Sequence, residues 1–184
     1  MGEKSSRTAR HAVFLVGASG VGKTTIADVL QERAPWTGHT YHFDDIGVPS
    51  PEEMVAEHGS GETWQEWATH RWVERLAAAA TPLQLLEGQT RPSFILRAIE
   101  THPDLASRII LLDCTPEVRS RRLTEGRNRP ELADDRMDRW AVYLRGQADA
   151  LGLPVIDTSD GDPKSLADEV EQVVGTEWVS GSAL

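Results

Sequence analysis

The sequence predicts an α/β fold, a mainly parallel five-stranded sheet with helices on both faces. Three observations carry that expectation. Short apolar runs alternate with amphipathic stretches of helical period along the chain, the pattern of consecutive strand, crossover helix and strand. The first run, Ala12 to Val16, is continuously apolar, as in a parallel strand buried on both faces. Directly after it comes Gly17-Ala18-Ser19-Gly20-Val21-Gly22-Lys23-Thr24, a full match to G-x-x-x-x-G-K-[ST], the signature of a phosphate-binding P-loop between strand and helix.

The elements follow in order. Residues 1–11 read as a flexible N-terminus. After the first strand, a helix runs from about Gly22 to Glu32 and stops before Pro35. A second strand, Thr40 to Phe43, ends in Asp44-Asp45, and Ile46-Gly47-Val48-Pro49 argues that no helix starts there. Ser50-Pro51-Glu52-Glu53 supplies the cap, proline and acids of a helix start, and Gly59-Ser60-Gly61 ends that helix. A longer helix from about Thr63 to Ala80 places Trp64, Trp67, Ala68, Trp72, Leu76 and Ala79 along one face. Tryptophans at that spacing are core residues first; Trp64, beside the glycine break, is the one expected to meet a ligand.

The third strand, Pro82 to Leu86, gives way to Glu87-Gly88-Gln89-Thr90-Arg91. A helix at about 93–101 and a strand from Arg108 to Asp113 continue the alternation. Thr115-Pro116-Glu117 caps a helix ending near Gly126, and a polar loop leads to a long helix from about Asp134 to Leu151. The fifth strand, Leu153 to Ile156, ends in Asp157-Thr158-Ser159, and the last helix spans Pro163 to Val174. Residues 175–184 form a tail with no assigned role. The 184 residues suffice for one sizeable core, so 12–174 reads as a single domain.

Charge and composition narrow the partners. The net charge of −10, from 19 basic and 29 acidic residues, argues against nucleic acid, although seven arginines cluster between Arg119 and Arg139. Cys114 is the only cysteine, so neither a disulfide framework nor a cysteine metal site is expected, and a cytoplasmic location is. No apolar run reaches membrane-spanning length. Lys4, Arg7 and Arg10 precede an apolar run that ends too soon for a signal peptide, and Met1-Gly2 opens only a loose myristoylation match.

The chemistry centres on the P-loop. Gly17, Gly20 and Gly22 allow successive N–H groups, with those of Ser19 and Val21, to turn inward as an anion nest at the positive end of a helix. Lys23 would reach the β and γ phosphates of ATP, Thr24 would be a ligand to Mg2+, and Thr25 would donate to the α phosphate. Glu87, an acid after a buried strand, sits where Mg2+ is held opposite a P-loop. Asp44 and Asp45 end a strand at the edge where α/β sheets bind ligands.

These residues resemble the small P-loop kinases of the nucleoside monophosphate kinase type, with their gluconate, shikimate and antibiotic phosphotransferase relatives, an AAA-like P-loop NTPase of unassigned substrate. Leu85 to Arg91 is similar to the stretch after the third strand of adenylate kinases. Arg122-Leu123-Thr124-Glu125-Gly126-Arg127 resembles the start of their lid, and Asp157-Thr158-Ser159 their adenine-bordering loop. The resemblance implies a three-layer P-loop NTPase fold with strand order 2-3-1-4-5, substrate-binding helices at about 50–80 and a short lid at about 124–133. It also implies roles for Arg122, Arg127, Arg129 and Asp157 around ATP, and for Arg91 and Trp64 beside the substrate. The expected function is transfer of the ATP γ-phosphate to a small-molecule hydroxyl, with Asp44 or Asp45 as base and Lys23 and Arg127 as cations. A nucleoside or nucleotide kinase, a simple ATPase and a non-transferring ATP-binding regulatory module stand as alternatives. Without Asn-Lys-x-Asp, a GTPase is disfavoured.

Overall fold

Five short strands build the centre of the computed structural model, which describes residues 10–181. Strands β1 (Arg10–Val16), β2 (Thr40–His42), β3 (Leu83–Gly88), β4 (Leu105–Asp113) and β5 (Val155–Asp157) form one sheet in the order β2-β3-β1-β4-β5. Every neighbouring pair is parallel. All strands therefore end on one edge, where the loops after them converge.

Side chains alternate across the sheet and nucleate two cores. Val13 and Leu15 point to one face, where α1 (Lys23–Gln31) and α7 (Pro163–Val174) pack. Ala12, Phe14 and Val16 point to the other, covered by α3 (Gly61–Ala78), α4 (Pro92–Ile99) and part of α6 (Asp135–Leu151). The central strands are apolar on both faces because both faces are covered. Helices α2 (Pro51–His58), α5 (Pro116–Arg121) and α8 (Thr176–Gly181) lie outside these layers.

Local chemistry sets the boundaries. Ser50 and Glu53 close a reciprocal capping box on α2. Ser60 caps α3 by accepting the Thr63 N–H at 3.1 Å, which starts that helix at Gly61, before Thr63. Of the expected α3 stripe, Trp64, Ala68, Trp72 and Leu76 are buried, whereas Trp67 is 45% exposed and tilts against His58.

Several expectations need correction. Asp44 and Asp45 do not enter an open loop: Phe43–Ile46 is a 3-10 turn, closed by the Gly47 N–H on Asp44 O at 3.0 Å. Glu87 and Asp157 are strand residues, because β3 pairs with β1 through Gly88 and β5 with β4 through Asp157. The helix from Thr115 changes character at Arg122–Gly126, a π turn in which the Arg127 N–H reaches Arg122 O at 3.0 Å. The tail holds α8, whose Trp178 stacks on His11 at 4.2 Å and lies under Arg108 at 4.7 Å. The flexible N-terminus expected over residues 1–11 ends earlier, because Arg10 and His11 already belong to β1 and pair with Leu105 and Ala106 of β4; residues 1–9, with the myristoylation match, lie outside the described residues. Among the described residues no helix is long and apolar enough to cross a membrane.

Candidate active site

The P-loop joins β1 to α1. A Cβ on Gly17 would lie 2.4 Å from Leu112 O, so only glycine lets the loop leave β1 against β4. Gly22 caps α1 with a φ of +97°, which turns backbone N–H groups toward the helix axis. Lys23 is 8% exposed and its Nζ donates to Ala18 O at 3.0 Å. Burial pulls its ammonium down to about 8, against the opposing charge of Glu87. A phosphate in the nest would restore that charge.

Beside it lies an oxygen cluster built across three elements. The Thr24 hydroxyl donates to Glu87 Oε1 at 3.1 Å, and His42 Nδ1 lies 2.8 Å from the same oxygen. Glu87 is 6% exposed. Burial works against a charged His42, but the hydrogen bond and charge of Glu87 raise its pKa overall. Among the described residues no group of three or more His, Cys, Asp or Glu forms a metal cage. Thr24 and Glu87 fit Mg2+ instead: adjacent oxygens of an octahedron with bonds of about 2.1 Å stand about 3 Å apart, and phosphate and water complete such a shell.

Two cavities flank the loop. One, of about 320 Å³, is lined by the loop residues Gly20, Val21, Gly22 and Thr25 together with Ile26, Pro163 and Leu166. Loop backbone and apolar side chains in one cavity suit the phosphates and base of a nucleotide. Arg122 closes its side, donating to Thr158 O at 2.5 Å and Thr158 Oγ1 at 3.1 Å. Arg127 also lines it and reaches Thr24 Oγ1 at 3.4 Å.

The second cavity is an open cleft of about 890 Å³ with Ser19, Asp44, Trp64, Arg91 and Trp140 in its walls. Phe43 holds Asp44 in place. Its carbonyl accepts the Trp72 indole N–H at 2.9 Å, its ring meets Trp64 edge-on at 6.2 Å, and it fills the space left by Gly88. Arg91 donates to Gln65 Oε1 at 2.5 Å and to Glu62 at 3.1 Å. Burial, then the charge of Glu87, raises the pKa of Asp44 even though the residue is exposed at the cleft mouth.

The expected site residues thus gather around the loop with three exceptions. Asp45 is exposed beyond both cavities, and Arg129 is exposed and paired with Glu131. Asp157 turns back to accept the Ser159 N–H at 2.8 Å, leaving Thr158 on the wall. His42 and the α6 wall, with Met137, Trp140 and Tyr143, escaped the sequence reading, and of the expected adenine-bordering loop it is Thr158, not Asp157, that lines the cavity. His42 could have been found from the strand order, since pairing β2 with β3 sets His42 beside Glu87.

A glycine-rich P-loop at the end of the central strand of a 2-3-1-4-5 parallel sheet defines a P-loop protein of the small-kinase fold. The chain belongs to the AAA domain family, whose model matches residues 13–146. No curated protein matches the sequence significantly. Among solved structures it is similar to shikimate kinase from Acinetobacter baumannii in complex with shikimate, at 19% identity and a TM-score of 0.62 over 91% of this chain and 94% of that one. It is also similar to a gluconokinase from Sinorhizobium meliloti, at 14% and 0.58 over 95% and 93%. The Deinococcus radiodurans tunicamycin resistance protein matches at 21% and 0.59 over 90% and 96%. At these identities the likeness is one of fold.

Proposed function

We propose that the protein transfers the γ-phosphate of Mg-ATP to a hydroxyl of a small molecule. One observation carries this reading: consecutive residues of a single loop face different cavities, Gly20 to Gly22 the nucleotide-shaped slot and Ser19 the cleft that holds Asp44. A phosphate chain laid along the loop would point its far end at the cleft. Two of the structurally similar proteins are named as kinases of small hydroxylated acids, shikimate and gluconate, which agrees with such a layout.

The roles follow from position. The nest and α1 bind the β and γ phosphates, and Lys23 balances their charge from beneath. Thr24 and Glu87 would hold Mg2+, which supplies charge neutralisation along the phosphates when it arrives with ATP. His42 orients the Glu87 carboxylate. Asp44 orients the acceptor hydroxyl in the cleft and takes its proton. Arg127, next to Thr24, meets charge developing on the transferred group. Asp45 does not line the cleft and is the weaker of the two base candidates.

ADP release with Mg-ATP, measured against a mixed panel of hydroxyl compounds, tests this. The wild-type protein should give acceptor-dependent ADP and a phosphorylated product, and Lys23→Ala should lose about a hundredfold or more of that rate. Retained turnover in Lys23→Ala would remove the P-loop from the chemistry. ADP release that no acceptor increases would favour an ATPase or a regulatory module.

A further inference from the structure

One oxygen of the buried Glu87 carboxylate carries two hydrogen bonds. Oε1 accepts from the Thr24 hydroxyl of α1 at 3.1 Å and lies 2.8 Å from His42 Nδ1 of β2. An ionised carboxylate has only accepting capacity, so Nδ1 is a ring nitrogen that carries a proton and donates it to Oε1. Among the described residues these are the only hydrogen bonds that the Glu87 side chain makes.

The two donors differ in how firmly they stay. The Thr24 hydroxyl proton rotates about a single bond, so it can leave Oε1 when the Thr24 oxygen turns to a cation. His42 has no such freedom. It is the register partner of Glu87 across β2 and β3, so the two side chains stand side by side on one face of the sheet. Directly after it, Phe43 O accepts the Trp72 indole N–H at 2.9 Å and ties the end of β2 to α3. The imidazole therefore remains on Oε1, and the lone pair now facing Thr24 is the one that Glu87 offers to a metal.

Such a carboxylate discriminates between ions of equal charge. Mg2+ demands a near-ideal octahedron with bonds of about 2.0–2.1 Å, which the two close oxygens of one carboxylate do not fit together. Ca2+ takes longer bonds and more ligands, and it accepts both oxygens of one carboxylate. To offer both oxygens to one ion Glu87 must turn, and turning draws Oε1 away from His42 Nδ1. The imidazole thus opposes the two-oxygen mode.

We infer that His42 is a positioning residue for metal selectivity: by pinning Oε1 it keeps Glu87 a one-oxygen ligand and so favours Mg2+ over Ca2+ at the P-loop. The inference rests on the reading of Thr24 and Glu87 as the residues that hold the metal of Mg-ATP. It does not depend on the acceptor or on transfer, because the metal arrives with the nucleotide.

Calorimetric titration of the full chain with the non-hydrolysable analogue AMPPNP, in Mg2+, in Ca2+ and in chelator, reads this without turnover. The deciding quantity is the ratio of the dissociation constant in Ca2+ to that in Mg2+, since a change of charge or stability acts alike on both ions. In the wild-type protein the ratio should be about ten or more, the scale on which a partner of a metal-binding side chain acts. His42→Leu keeps the bulk and removes the N–H, and should lower the ratio about tenfold. His42→Asn restores an N–H donor near the position of Nδ1, and should hold the ratio within about threefold of the wild type. A wild-type ratio near one, an unchanged ratio in His42→Leu, or a fall in His42→Asn as large as that in His42→Leu would overturn the inference and leave Mg-ATP binding standing. Equal weakening under all three conditions would make His42 a structural residue only. Wild-type affinity that neither ion raises would overturn the metal reading of Thr24 and Glu87, and the inference with it.

Discussion

The carboxyl of Asp44 is pushed above its ordinary value of 3.8, first by burial and next by the charge of Glu87, while Lys23 pulls the other way. A base must be ionised to act, so the acid limb of the kcat/KM profile should lie above that of an ordinary aspartate. The same shift acts on stability with a definite sign. Between the ordinary and the raised pKa the folded state binds the proton that the unfolded state has released, so stability falls as pH rises through that window and stays lowered above it. Asp44→Asn should therefore leave the melting temperature at pH 7 unchanged or raise it. The same substitution should lower kcat about 10²- to 10⁴-fold and erase the acid limb. A pH–rate profile beside a thermal melt checks both halves. An unchanged rate would shift the base role to Asp45 or abolish it, and a large loss of stability would show that Asp44 has a structural task instead.

Helix α8 makes its contribution at the opposite end of the sheet from the P-loop. Trp178 covers His11 at the start of β1 and receives Arg108 from β4, whose guanidinium also donates to Val173 O at 2.6 Å. Truncation of a buried tryptophan costs about 3–5 kcal/mol, and this half-buried one about 1–3 kcal/mol. For a chain of this size Trp178→Ala should lower the melting temperature by about 3–10 °C, with kcat unchanged below the transition. Differential scanning calorimetry and a rate at 25 °C separate the two, and a lowered kcat with an unchanged melt would contradict this view. No sequence pattern announced α8, because a single turn and a half of helix is fixed by docking rather than by periodicity. The P-loop was legible for the reverse reason: its glycines, lysine and threonine act within eight consecutive residues. Glu87 was legible as an acid ending a buried apolar run, although the strand proved to include it. The wall made by Trp140 and Tyr143 was not, since α6 reaches the cleft only after the chain has crossed the sheet. The 3-10 turn at Asp44 also escaped, because it is held by the Trp72 indole, 29 residues further along the chain.

At the scale of the molecule, all parallel strands end on one edge, and the two cavities open there on either side of a single loop. A nucleotide and an acceptor can therefore be held together, with the phosphate-binding loop between them. The described residues lining the space between the cavities bring no exposed cysteine or histidine nucleophile to the P-loop: Cys114 is buried and outside both cavity walls, and His42 is turned onto Glu87. Asp44 remains, but its raised pKa suits taking a proton from an acceptor better than attacking a phosphate. Under the proposed phosphotransfer, the acceptor oxygen would approach the γ-phosphate in line within a ternary complex, without a phosphorylated protein between. Initial rates at several fixed concentrations of each substrate should thus give intersecting double-reciprocal lines. Incubation with γ-labelled ATP alone should leave no label on the protein. Parallel lines together with a labelled chain would mean that the loop passes its phosphate to a side chain first, and Asp44 would then be a nucleophile whose replacement by Asn abolishes the label.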